Sequence, residues 1–300
     1  MRFGLYRFSL AALGLLSCGT ALADPLPVVA VNREIGLSVT GNFYSWLRGG
    51  HSQYNSSYGG GSFLGGLPTS YSGTESYRNR MASWRPGFQA DAAVMFDAFG
   101  IRNLYASAQF NLAGGNAHYR DRWSGMDSYY GPYRNTYSSN RNYSSTYTRG
   151  EIGKGFLFLS NNLLITPTAV GGYQSTGTSS FGSYGGYWFV GAALRADYAL
   201  TNRLVLRGRA GWAELLDSGL IPASAPKQRA RPVWQGSLGA DYRLTHHIHI
   251  TGGVEYAYVD RGHATDHYSY SEPYYSTASS NTTSLYDNGV TLRLGAAYQF

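Results

Sequence analysis

From Glu34 onward the chain alternates apolar and small or polar residues with period two, and no convincing helical period interrupts the pattern. Ten segments carry it. They are Glu34 to Trp46, Phe88 to Phe96, Asn103 to Leu112, Arg149 to Leu159, Leu163 to Gln174, Tyr187 to Tyr198, Leu204 to Trp212, Trp234 to Arg243, Ile248 to Val259, and Gly289 to Phe300. The connections alternate in length. Four are tight: Asp97-Ala98-Phe99-Gly100, Ser160-Asn161-Asn162, Thr201-Asn202-Arg203 and Thr245-His246-His247. Five are long, roughly 48–83, 114–147, 175–186, 214–231 and 260–287. Strands of about ten residues joined by short and long connections in turn predict an all-β fold, a transmembrane antiparallel up-and-down β-barrel of ten strands, with eight or twelve as alternatives.

A soluble sandwich also alternates, so three further features decide. The second face of the strands is Gly, Ala, Ser and Gln with isolated Arg and acids, unlike a solvated surface. Trp46, Trp84, Trp188, Trp212 and Trp234 lie toward the long connections, and Phe96, Phe158, Tyr198, Tyr242 and Phe300 toward the short turns. Two such belts match two membrane interfaces. Closure also leaves no unpaired edge in lipid, where each unsatisfied backbone group costs several kcal/mol. Charged residues are only 14 % of the chain, low for a soluble domain, and no apolar run past the N-terminus is long enough for a spanning helix.

The N-terminal stretch has Arg2 and Arg7, an apolar run, and Ala21-Leu22-Ala23. This predicts a secretory signal peptide over 1–23 and a barrel domain over 24–300. Leu15-Leu16-Ser17-Cys18 also resembles a lipoprotein box, with Leu16 unusual there. Cys18 is the single cysteine, so a chain cleaved before Asp24 has no thiol chemistry. Loss of Arg2 and Arg7 lowers the formal charge of +7 by two. No basic block points to nucleic acid.

In the last segment Leu292, Leu294, Ala296, Tyr298 and Phe300 are in phase up to the final residue. That ending resembles the C-terminal signal by which Gram-negative outer-membrane proteins are recognised for insertion. The resemblance implies the outer membrane, periplasmic termini, and the barrel-assembly machinery as a partner during biogenesis. It makes Leu292, Leu294, Tyr298 and Phe300 the insertion signal. Length and strand count are similar to those of the omptin proteases, which activate water with a pair of aspartates facing an aspartate–histidine pair at the barrel rim. The segment GGNAHYRDRWSGMD, with His118, Asp121 and Asp127, is similar to an acidic omptin segment, but the fourth long connection has no histidine. His263, Asp266 and His267 lie on the fifth instead. No catalytic residue is therefore assigned and an enzyme is not expected; a rim hydrolase of omptin-like or lipid-modifying type is a lesser alternative.

Parity directs Asp91, Glu151, Asp197, Asp241 and Glu255 inward, with Arg195, Arg207, Arg209, Arg243 and Arg293. Such charges either pair across the lumen and fill it or line a narrow pore, and the small circumference favours filling. Lys154 falls on the lipid parity, where a lysine costs roughly 2–4 kcal/mol near mid-membrane and less near an interface, unless a bulge at its flanking glycines re-aims it. Pro167 likewise predicts a local bulge. His246, His247 and His249 lack a third ligand nearby in sequence, so no metal is expected. Tyr58-Gly59-Gly60-Gly61 lacks the lysine and the helix of a phosphate-binding motif, and no cofactor is expected.

Most of the 27 tyrosines crowd the long connections together with Ser, Gly and Asn, residues favoured in binding loops. This composition predicts either extracellular loops that recognise a ligand or soluble, protease-resistant extensions of the wall. Arg120, Arg122, Arg134, Arg141, Lys227, Arg229 and Arg231 would face lipopolysaccharide phosphates, since Arg suits that geometry. Outer-membrane lipid and lipopolysaccharide are thus the expected standing partners. The leading functional reading is a non-enzymatic barrel for surface interaction or envelope integrity, and the alternative is a narrow porin-like channel.

Overall fold

In the computed structural model the described residues are 26–58, 70–177, 186–216, 231–272 and 275–300. The proposed leader and Cys18, and the loop residues Lys227 and Arg229, lie outside them. A four-residue helix, α1 (Pro27–Ala30), precedes eleven strands: β1 (Glu34–Tyr58), β2 (Ser70–Ala98), β3 (Ile101–Asp127), β4 (Gly131–Lys154), β5 (Phe156–Phe158), β6 (Leu163–Gly177), β7 (Tyr187–Ala199), β8 (Leu204–Leu215), β9 (Pro232–Arg243), β10 (Ile248–Glu272) and β11 (Tyr275–Gln299). Every neighbour is antiparallel. The first strand β1 pairs with the last, β11, and β4 and β5 both pair with β6, so the sheet closes into a ring.

β4 and β5 are one wall element, which makes ten staves. Gly153 is level with Thr168 and Phe156 with Ile165, three residues on along each chain, so the register does not shift across the break. The expected bulge at Pro167 is therefore absent. Pro167 has no N–H to give, the ladder skips that rung, and the strand divides at Gly155 without changing phase. Lys154 is not re-aimed either. It stays exposed on the outer face, with its Nζ 5.0 Å from the centroid of Phe156. Its partner Leu104 is also level with Phe96, in the short-turn aromatic belt. At that level an ammonium reaches the headgroup region and the mid-membrane penalty does not apply.

The outer face is the apolar one. Leu37, Val39, Phe88, Ile152, Leu194, Leu238 and Leu294 are all at least half exposed, which water would penalise at about 25 cal/mol per Å² and lipid does not. Trp84, Trp188, Trp212 and Trp234 ring one end of this band, and Phe96, Phe158, Tyr198, Tyr242 and Phe300 the other, all exposed. Gly41 makes room for the Trp84 ring, whose Cη2 would come within 2.0 Å of an added Cβ. Trp46 does not belong to the belt. It has the inward parity of Tyr44 and packs on Tyr119, centroids 5.6 Å apart. Leu292, Leu294, Tyr298 and Phe300 all point outward, as their phase predicts. The wall thus has the architecture of a transmembrane, outer-membrane-type β-barrel. No described helix is long and apolar enough to cross a membrane, and the crossing is made by strands.

The walls are unequal in height. β1–β4, β10 and β11 run 24–29 residues, whereas β6–β9 run 12–15. Much of three segments expected as loops is paired strand. Residues 48–58 and 70–83, 114–127 and 131–147, and 260–272 and 275–287 continue the ladders of their staves. Six adjacent staves therefore rise together as a curved sheet, about 40 Å beyond the shorter wall at ~3.3 Å per residue. The tight turns behave as predicted. Phe99 and Gly100 both have left-handed φ, 54° and 76°, as in the two-residue hairpin turns that match strand twist.

Candidate functional site: a filled lumen and a projecting sheet

The lumen is filled in layers. At the short-turn end α1 folds up into the mouth, where Val28 and Val31 pack with Met95, Tyr105, Leu164, Ala199 and Val205. Pro27 begins the helix, where the missing N–H costs nothing. Asn32, just past it, donates to Val28 O (2.9 Å) and to Asp197 Oδ2 (2.9 Å), tying the plug to the wall. This plug was not anticipated from sequence, because four residues carry no readable period.

Above the plug is the charge network. Glu151, 3 % exposed, is approached by three guanidinium groups: Arg209 Nε at 2.7 Å, Arg149 Nε at 3.2 Å and Arg195 Nη1 at 3.5 Å. Arg149 also reaches Glu255 Oε1 at 2.6 Å. Lower down, Arg207 pairs with Glu34 Oε1 at 2.5 Å and Asp197 Oδ1 at 3.3 Å, and lies 4.0 Å from Asp241 Oδ2. His249 Nδ1 is 2.7 Å from Asp241 Oδ1. Asp91 and Arg293 line the same interior. Nine of the ten residues predicted from parity thus face this region. Arg243 does not join it: it sits at the short-turn end of β9, level with His249, and makes none of these pairs. Parity alone cannot tell mid-lumen from rim.

Several members escaped the sequence reading. Arg149 shares the parity of Glu151, and Glu34 alternates with the lipid-facing Ile35 and Leu37, so the place of both was readable. Arg261 and Asp287, a buried pair at 2.5 Å, fell within an expected loop. Arg85 was hidden beside Pro86, yet it is 2 % exposed and stacks over Tyr44 and Tyr143, at 4.5 and 5.4 Å. Val170, Tyr187, Phe189, Ala213, Leu215, Val233 and Val259 form a further apolar cluster on the β6–β10 side. Between the layers are two small cavities, about 70 and 80 Å³, both lined in part by charged or amide side chains. Each has room for a few waters.

The residues considered for rim catalysis are not brought together. His118 is on the outer face of β3, bound to Asn140 Oδ1 at 2.9 Å, while Asp121 points to the opposite face. Asp127 is at the β3–β4 tip. It accepts backbone N–H bonds from Tyr129 (2.8 Å) and Tyr130 (2.9 Å) and the hydroxyl hydrogen bond of Tyr54. The Tyr54 bond and the two amides hold its carboxyl below the usual carboxylate range. His263 packs edge-on to Tyr286, and His267 and Asp266 are level with Ser280 and Asn281.

The basic residues are sorted by parity. Arg120, Arg122 and Arg134 are exposed on the outer face of the projecting sheet. They are joined there by Arg78 and Arg80, which the sequence reading omitted. Arg78 is the direct ladder partner of Arg122, and Arg80 of Arg120. Arg141 instead turns to the inner face and lies over Tyr119. Arg231 is buried, and its backbone N–H binds Glu214.

No family model and no curated protein matches this chain. Among solved structures, the translocator domain of the autotransporter NalP from Neisseria meningitidis is 16 % identical, with 88 % of this chain and 89 % of that one covered and a TM-score of 0.31. The transport unit of the autotransporter AIDA-I from Escherichia coli is 10 % identical, covering 89 % and 91 %, with a TM-score of 0.34. The toluene transporter TodX of P. putida is 8 % identical, covering 92 % of each chain, with a TM-score of 0.25. The likeness concerns barrel architecture alone.

Proposed function

We propose that this chain is a non-enzymatic outer-membrane barrel with periplasmic termini, whose projecting sheet is a recognition surface anchored in lipopolysaccharide. The arginine ladder carries the reading. Arg78 opposite Arg122 and Arg80 opposite Arg120 place like charges at adjacent cross-strand positions, an arrangement that destabilises a sheet unless something anionic sits on it. No described carboxylate pairs with any of the four. The outward positions around them on β1, β3 and β4 are Leu47, Gly49, His51, Gln53, His118, Ser124, Thr136, Ser138 and Asn140, with no acid among them.

Height fits as well. Arg80 is four residues above the Trp84 belt, about 13 Å along the strand. That is the level of the phosphates and inner sugars of lipopolysaccharide. Guanidinium groups bind phosphate in bidentate fashion, and a pair on adjacent strands can straddle one. The inner face of the sheet and its rim carry tyrosines and hydroxyls that a ligand beyond the membrane would meet.

The reading is tested by native mass spectrometry of the barrel extracted in mild detergent. Wild-type protein should retain lipopolysaccharide. Arg80→Gln with Arg120→Gln should lose it at least tenfold while keeping heat-modifiable migration. Equal retention by both would refute the anchoring role.

A further inference from the structure

We propose that Glu34, Asp241 and His249 form a seat for one divalent transition-metal ion of the zinc type, at the short-turn end of the lumen. The three come from β1, β9 and β10, and one ligand atom from each lies within 4.8 Å of the others. All three side chains are 98–99 % buried. The adjacency is invisible in sequence, because Glu34 is brought to His249 only by ring closure through β11.

Two observations point to a cation beyond the mere nearness of acids. Glu34 Oε2 and Asp241 Oδ2 are buried and accept no hydrogen bond from any described residue. A buried carboxylate oxygen without a partner costs about 1–3 kcal/mol or more. The local charge is also out of balance. Glu34, Asp197 and Asp241 face one guanidinium, Arg207, within ion-pair distance. Protonating His249 would offset one of the two surplus charges but would leave both orphaned oxygens bare. A divalent ion offsets both and gives the oxygens a partner.

His249 is set up for this role. Its Nε2 is bonded to Gln299 Oε1 at 3.0 Å and its Nδ1 to Asp241 Oδ1 at 2.7 Å, and a metal ion would take the place of the proton between Nδ1 and the carboxylates. A hydrogen bond to the far ring nitrogen is the usual support behind a ligating imidazole. Nδ1 is 2.7 Å from Asp241 Oδ1 and 3.9 Å from Glu34 Oε2, spacings that small adjustments bring onto one ion. One imidazole with two carboxylates suits zinc and its neighbours over calcium or magnesium, with a fourth position left for water. Such an ion would clamp β1 to β9 and β10 across β11.

The refolded mature protein, freed of metal and then exposed to Zn²⁺ alone, should keep one ion per chain through gel filtration. His249→Gln and Asp241→Asn should each weaken retention by about a hundredfold or more, and Gln299→Ala by about 10–100-fold. His246→Ala with His247→Ala should leave it unchanged. No ion on folded wild-type protein, or retention lost only with His246 and His247, would overturn the proposal. Should the buried variants fail to fold, zinc-edge X-ray absorption on wild type decides. A shell with one imidazole and carboxylate oxygens supports the site; two imidazoles, or water alone, overturns it.

Discussion

Glu151 shows how much of this interior rests on single residues. Three arginines converge on one carboxylate that is almost wholly enclosed. Burying those four groups cost solvation that only their mutual contacts offset. Glu151→Gln keeps the shape and removes the charge, leaving Arg195 and Arg209 without a counter-ion. A loss of about 3–5 kcal/mol in urea unfolding from detergent micelles is expected, the range for breaking one partner of a buried pair. Adding Arg209→Met should recover part of it, and a double-mutant cycle measures how much. Lys154→Leu, at the belt, should change stability by well under 1 kcal/mol, because that ammonium already reaches the headgroup region. Both positions were open to reading from parity. Glu151 and Lys154 differ by three residues and so fall on opposite faces. What parity could not supply was depth, which is why the cost of Lys154 stayed open between mid-membrane and interface and why Arg243 was placed in a network it does not join. Depth is set by which residues share a rung, and rungs come from pairing.

At the scale of elements, the strands inside the membrane were legible and their continuations were not. Lipid on one side forces a strict apolar parity. Where the same strands rise into water both faces become polar, the period-two signal fades, and DSYYGPYRNTYSS reads as loop although most of it is a hairpin. The tip of that hairpin is fastened by Asp127 through Tyr54 and the amides of Tyr129 and Tyr130. Those bonds favour the ionised carboxylate, so its folded pKa is lowered. A lowered value means the stabilisation is complete above the ordinary carboxylate range and is lost as pH falls through the depressed value. Amide exchange at Tyr129 and Tyr130 should therefore stay slow down to pH 4, after correction for intrinsic rates, and rise only below it. In Asp127→Ala the same amides should exchange rapidly at every pH. If wild type and variant behave alike, the tip is held by pairing of β3 with β4 alone.

For the molecule as a whole, the question is whether the barrel is a passage. Ten staves give a lumen that side chains nearly fill, close to the eight-strand case and far from porins with 16. This one is closed at least twice over. α1 blocks the short-turn mouth with Val28 and Val31, and above it cavities of about 70 and 80 Å³ interrupt the arginine–carboxylate layer. Two barriers in series make a specific prediction. Wild-type protein in a planar bilayer should show no discrete conductance steps. Removing residues 26–31 should still give none, because the Arg149–Glu255 contact remains across the bore. Steps should appear only when the same deletion is combined with Arg149→Ala and Glu255→Ala, a neutral pair of changes that thins the second barrier without leaving the Arg149–Glu255 contact half broken. Arg149 also serves Glu151, but Arg195 and Arg209 stay to face that carboxylate. Conductance in wild type would mean that the layers move apart in a bilayer, and the narrow-pore reading would replace the filled one. Conductance on loss of α1 alone would make the helix a gate and the charges above it a selectivity filter. Silence in both, with steps only in the combined variant, would assign the lumen to holding the walls together and leave the projecting sheet to meet the outside.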